Sequence, residues 1–109
     1  MSWTMLNSAD QLNEIKGHEG YAIIFKHSTR CSISMMAKKR FELDWDKLPG
    51  TIPLYFLDLI KYRDLSNQVA KDFEVHHESP QLLLIKDGEC ILDQSHGAIS
   101  VEETLEMVQ

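Results

Sequence analysis

Two cysteines in 109 residues, Cys31 and Cys90, are too few for the disulfide framework that staples small secreted domains. Positive charge is also scarce. Eleven lysines and arginines stand against seventeen acids, for a net charge of -6. Phosphate backbones and anionic membranes both need a basic surface, so the balance argues against nucleic acid and membrane partners. No segment approaches the ~20 apolar residues needed to cross a bilayer. The longest apolar runs, Tyr21 to Phe25 and Leu82 to Ile85, have strand length. Internal repeats, linkers and low-complexity stretches are missing too. The N-terminus, Met1-Ser2-Trp3-Thr4, lacks a basic region followed by a hydrophobic stretch, so no signal peptide and a cytoplasmic location are expected. In that compartment two cysteines are reactive or incidental rather than a structural bridge.

What is present suits one globular domain over residues 1–109, with 43% hydrophobic residues and enough chain to bury a core. Ser8 and Gln11 make a capping box, Leu12 and Ile15 give the helix an apolar side, and Gly17 can end it. Tyr21 to Phe25 reads as a strand covered on both faces. Lys26 to Arg30 are polar and lead to Cys31. From Ile33 the period changes: Ile33, Met36, Ala37 and Phe41 share one helical face, with Lys38, Lys39 and Glu42 pointing away. Pro49-Gly50 stops that segment. Ile52 to Leu59 is the next strand. Leu65, Val69 and Phe73 mark a third helix, with Asp64 as its cap. Gln81 to Lys86 and Glu89 to Asp93 form a hairpin about Asp87-Gly88. Ser100 and Glu103 make a second capping box, and Val101, Leu105 and Val108 face inward on a last helix. A short strand near Trp3 to Leu6 can precede the rest. Strand–helix–strand alternation implies right-handed parallel crossovers. The expected fold is α/β, a mixed central sheet with helices on both faces.

Cys31 falls between a buried strand and an amphipathic helix. A helix start offers free N–H groups and the positive end of the macrodipole, both favourable to a thiolate. The thiolate is the attacking species in disulfide exchange, so this position makes a nucleophile. Arg30 adds positive charge. A buried, inert cysteine is the competing reading, but Ser28, Thr29, Arg30 and Ser32 are all polar neighbours. Cys31-Ser32-Ile33-Ser34 has the spacing of a Cys-x-x-Cys redox motif with serine in the second place. The hydroxyl of Ser34 can hydrogen-bond a thiolate but cannot resolve a mixed disulfide, so the implied chemistry is monothiol. Pro80 stands directly before the strand Gln81 to Ile85, and the Ser79-Pro80 bond there can be cis.

Phe25-Lys26-His27-Ser28-Thr29-Arg30-Cys31-Ser32-Ile33-Ser34 closely resembles the active-site segment of the monothiol bacilliredoxins, YtxJ-type proteins of the bacillithiol system. Tyr62 to Asn67, His77 to Gln81 and the hairpin Ile85 to Gly88 extend the likeness over nearly the whole chain. The resemblance implies a thioredoxin-like fold in which a cis-proline, Pro80, lies against Cys31 while Ser79 offers backbone groups to substrate. It also implies debacillithiolation: Cys31 attacks a protein cysteine capped by bacillithiol, releases the protein thiol and carries the bacillithiol until a second thiol removes it. Thr29, Arg30, Ser32 and Ser34 would support the thiolate or bind substrate. The co-substrate would be bacillithiol or another low-molecular-weight thiol, the partners S-thiolated client proteins, with no tightly bound cofactor and no metal. Ser32 stands where the family commonly has proline. Phe25 lies near the point where thioredoxin has a buried acid, so proton transfer needs another group or solvent.

Two other functions compete. Monothiol glutaredoxins with a Cys-x-x-Ser motif share an iron–sulfur cluster, but this chain lacks their glycine-phenylalanine filling. A redox-silent adaptor could instead use the proline groove to bind partners. Cys90, beside the hairpin turn, is expected to lie far from Cys31 with no redox duty. The spacing of His27, His76, His77 and His96 fits no zinc signature, and surface or packing roles are expected for them, with His27 near enough to Cys31 to tune its charge or shuttle a proton.

Overall fold

The computed structural model describes residues 1–108. In chain order the elements are β1 (Thr4–Met5), α1 (Ala9–Gly17), β2 (Tyr21–His27), α2 (Ser32–Asp44), β3 (Leu54–Asp58), α3 (Arg63–Asp72), β4 (Gln81–Lys86), β5 (Glu89–Ser95) and α4 (Val101–Met107). The five strands form one sheet in the order β1-β3-β2-β4-β5. β1, β3 and β2 run parallel, whereas β4 and β5 are antiparallel additions. The alternation read from the sequence thus yields the mixed sheet it implies.

Side chains alternate across β2, and each face meets its own pair of helices. Ile23 and Phe25 join Ala37 and Phe41 of α2 and Val101 of α4. Ala22 and Ile24 join Leu12 and Ile15 of α1 and Val69 of α3. On the α2 side the core is aromatic: Trp3 lies 5.6 Å from Phe25, 5.8 Å from Phe41 and 5.3 Å from Trp45. Its indole N–H donates to Glu42 Oε2 at 2.7 Å, which brings the N-terminus onto α2.

Several local expectations need correction. The strand Tyr21 to Phe25 continues through Lys26 and His27, both buried, because the lysine amine finds partners inside. The buried face of α2 is Ser34, Ala37 and Phe41; Ile33 and Met36 are 55% and 65% exposed. Lys38 and Glu42 do not point away from the fold. They pair at 2.9 Å, partly buried, with the ammonium above the Phe56 ring. Asp64 does not cap α3. Tyr62 holds the cap position, while Asp58 Oδ1 accepts the N–H groups of Ile60 and Lys61 in the preceding turn. The first capping box is complete at Ser8 and Gln11, but the second is half a box. Ser100 Oγ accepts the Glu102 and Glu103 N–H groups, whereas the Glu103 carboxylate turns to Gln94 Nε2. Gln94 is buried and takes the Ser100 N–H on its own oxygen. The hairpin has its expected turn, with Asp87 and Gly88 both at positive φ, 50° and 82°.

Candidate functional site

The site forms where β2 ends and α2 begins. Ser28 to Cys31 make a tight turn closed by the Cys31 N–H donating to Ser28 O at 3.2 Å. Cys31 is the N-cap of α2, with extended backbone (φ -116°, ψ 119°), and its carbonyl accepts the Met35 N–H. The sulfur therefore occupies the place at which a serine or aspartate oxygen ordinarily receives first-turn N–H groups. Its thiol makes no cap bond, so those donors remain free for an anion. No acidic residue lies in the first turn of α2 to oppose negative charge.

Cys31 is half-buried, flanked by exposed Thr29, Arg30 and Ser32. Ser34 behaves differently. It is fully buried, and its Oγ accepts the Ser28 N–H at 3.2 Å. Three residues beyond Cys31, this serine pins the start of the turn onto the helix that follows. The hydroxyl keeps one proton to donate elsewhere.

The opposing wall comes from the segment before β4. Lys26 of β2 pairs with Gln81 of β4, so Ser79 and Pro80 stand at the same end of the sheet as Cys31. The Ser79–Pro80 peptide is cis, with Pro80 buried and Ser79 half-buried. Pro80 O accepts the His96 N–H at 3.1 Å. Thus Cys31, Thr29, Arg30, Ser32, Ser34, Ser79 and Pro80 all map to one edge, supplied by one turn, one helix start and one loop.

Two titratable residues under this edge stand out. His27 is buried on the α2 side, 5.0 Å from the Phe56 ring, and its Nδ1 has no hydrogen-bond partner. Burial and the Lys38 ammonium hold its pKa below the usual imidazole value, against opposing pulls from Asp58 and Glu42. Lys26, on the α3 side, is a residue that periodicity missed entirely. Its side chain is fully buried, its Nζ donates to Ser66 O at 3.0 Å and lies 3.3 Å from His77 Nδ1, and burial pushes its pKa down to about 8. A lysine directly after an apolar strand was the only trace of it in the sequence.

Cys90 lies far from this edge. Ile85 pairs with both Ala22 and Cys90, and from Ala22 to His27 is roughly 17 Å of strand. A Cys31–Cys90 bridge needs Cα atoms within about 7 Å. Burial, with the Asp93 charge beside it, also raises the Cys90 thiol to about 11, against a backbone hydrogen bond at Leu92. Among the described residues, no group of three or more His, Cys, Asp or Glu side chains could hold a metal ion.

A single cysteine at a strand-to-helix junction, with a proline loop at the same end of a mixed five-stranded sheet, defines a thioredoxin-fold protein of the monothiol kind. The model of the monothiol bacilliredoxin BrxC family matches residues 4–104, and the chain belongs to that family. Among solved structures it is similar to a candidate oxidoreductase with a thioredoxin fold, at 31% identity and a TM-score of 0.84, over 96% of this chain and 92% of that one. It also resembles the thioredoxin of Malassezia sympodialis, at 20% identity and a TM-score of 0.76, over 98% and 90% of the two chains. A third similar structure is the thioredoxin of Trypanosoma brucei brucei, at 12% identity and a TM-score of 0.74, over 97% and 88%. The last two bear on the fold alone. Family and fold together support a thiol redox function.

Proposed function

We propose that the protein removes a low-molecular-weight thiol, bacillithiol in the first instance, from S-thiolated client proteins in the cytoplasm. The observation that carries this reading is the placement of Cys31 as an uncapped helix N-cap, with the other cysteine at the far end of the sheet. The Cys31 thiolate attacks the bacillithiol sulfur of a protein mixed disulfide. The Cys31–bacillithiol bond forms as the protein–bacillithiol bond breaks, and the protein cysteine leaves as a thiolate that takes up a proton. A second low-molecular-weight thiolate then attacks the adduct, freeing Cys31 and departing as a disulfide. Electrons balance at each exchange, with no tightly bound cofactor or metal. Free N–H groups at the first turn of α2 receive the sulfur's charge, Thr29, Arg30 and Ser32 line the approach, and Ser34 fixes the turn. Backbone groups at Ser79 align the incoming disulfide, with Pro80 lying beside Cys31.

Reaction in parallel with oxidised bacillithiol, glutathione and coenzyme A, followed by intact mass and peptide mapping, tests the reading. One adduct on Cys31, formed fastest with bacillithiol, is expected. Cys31→Ala should abolish release of bacillithiol from a model protein, and Cys90→Ala should leave it intact. Equal rates with all three disulfides would remove the bacillithiol preference. An adduct mapping to Cys90 would remove the mechanism.

A further inference from the structure

The loop opposite Cys31 is anchored from behind by buried polar side chains. Lys26 Nζ reaches Ser66 O of α3 and His77 Nδ1 of the loop. Gln81, its cross-strand partner, is equally buried, and its Nε2 donates to His76 O at 2.9 Å. His76 and His77 lie three and two residues before Ser79. Two side chains from neighbouring strands thus hold consecutive residues of the segment that delivers Ser79 and Pro80. A leucine would fill the Lys26 site at no desolvation cost, whereas a buried amine is expensive unless its hydrogen bonds are made. The bonds that are made join β2, α3 and the loop at the functional edge of the sheet.

We propose that Lys26 is a positioning residue, holding His77 so that the Ser79–Pro80 corner is set at a fixed height beside Cys31 for the incoming mixed disulfide. The inference rests on the exchange reaction proposed above. Lys26 itself does not touch substrate. It donates to Nδ1 of a neutral imidazole, which carries its proton on Nε2. Burial, with the charges of Lys26 and Arg63, keeps the His77 pKa below its ordinary value against the pull of Glu78, so the acceptor form persists at neutral pH.

The test compares two reactions of Cys31 in the full chain. Alkylation by iodoacetamide needs no loop. Exchange with a bacillithiol-capped single-cysteine peptide needs it. For Lys26→Met and His77→Leu the expected result is an apparent KM for the peptide raised about fivefold or more, with kcat and alkylation rate within about twofold of wild type. His77→Gln, which keeps an acceptor for the amine, should recover most of the lost KM. Should Lys26→Met fail to fold, the two His77 variants decide the matter. Unchanged KM in His77→Leu would overturn the inference, as would alkylation falling in parallel with exchange. A wild-type protein that is alkylated but does not exchange would instead refute the underlying reaction, and the inference with it.

Discussion

The two cysteines differ in the chemistry their surroundings permit. Cys31 ends a turn with helix donors ahead of it, while Cys90 packs in a strand with its thiol pushed up to about 11. At neutral pH only a minute fraction of Cys90 is the reactive anion. Lys26 is the other residue whose environment dictates behaviour, and its linkage to stability has a definite sign. Its folded pKa, about 8, lies below the ordinary lysine value of 10.5. Above pH 8 the unfolded chain therefore holds a proton that the folded chain has released, and this group makes stability rise with pH. The difference in unfolding free energy between wild type and Lys26→Met should move by about 1 kcal/mol in favour of wild type between about pH 7.5 and 9. Denaturant titrations of both proteins across that range check it, and a gap that stays flat refutes the assignment. This residue was not legible in the sequence. Its partners, Ser66 and His77, lie 40 and 51 positions away, and a charged residue after an apolar run reads as the end of a strand.

Among the elements, α2 shows best what periodicity can and cannot reveal. Spacing alone places Ala37 and Phe41 inside, as it does the helix itself. Spacing and apolarity put Ile33 and Met36 on the same face, yet they are solvent-exposed and Ser34 takes the interior place. A serine satisfied by one local backbone bond costs little to bury, and no hydrophobic pattern records that bond. Ser34→Ala removes the acceptor of the Ser28 N–H. It should cost about 1 kcal/mol and lower Tm by about 5 °C, measured by thermal unfolding. A Tm equal to wild type would mean that the turn before Cys31 does not depend on this brace. The capping residues were partly legible for the same reason. Ser8 and Gln11 act within one turn, whereas Glu103 is drawn away by Gln94, which only the folded sheet brings near.

At the scale of the molecule, strand and helix order are readable because the central strands β2, β3 and β4 are short apolar runs flanked by turn residues, and the crossovers leave few topologies open. The docking of the hairpin onto the first helix was not. Asp87 Oδ1 accepts the Gly20 N–H at 2.7 Å, and Asp87 N–H donates to Gly20 O at 3.0 Å. Beside it, a Cβ on Gly88 would collide with the backbone carbonyl of Lys16 at the end of α1, and φ there is +82°. Gly88→Ala meets both penalties and should destabilise the whole fold by about 2 kcal/mol or more. Equilibrium unfolding tests this; a loss under about 0.5 kcal/mol would show that the hairpin tip and α1 separate freely.

Cys31 and Cys90 sit at opposite ends of one sheet, and in the proposed reaction that spacing would govern how the protein is emptied. On the exchange proposed above, a loaded Cys31 would have no second cysteine nearby to discharge it, so each turnover would wait for a collision with a thiol from outside. The share of molecules found loaded would then rise as free thiol grows scarce, which would make the proposed catalyst a gauge of the reducing supply around it.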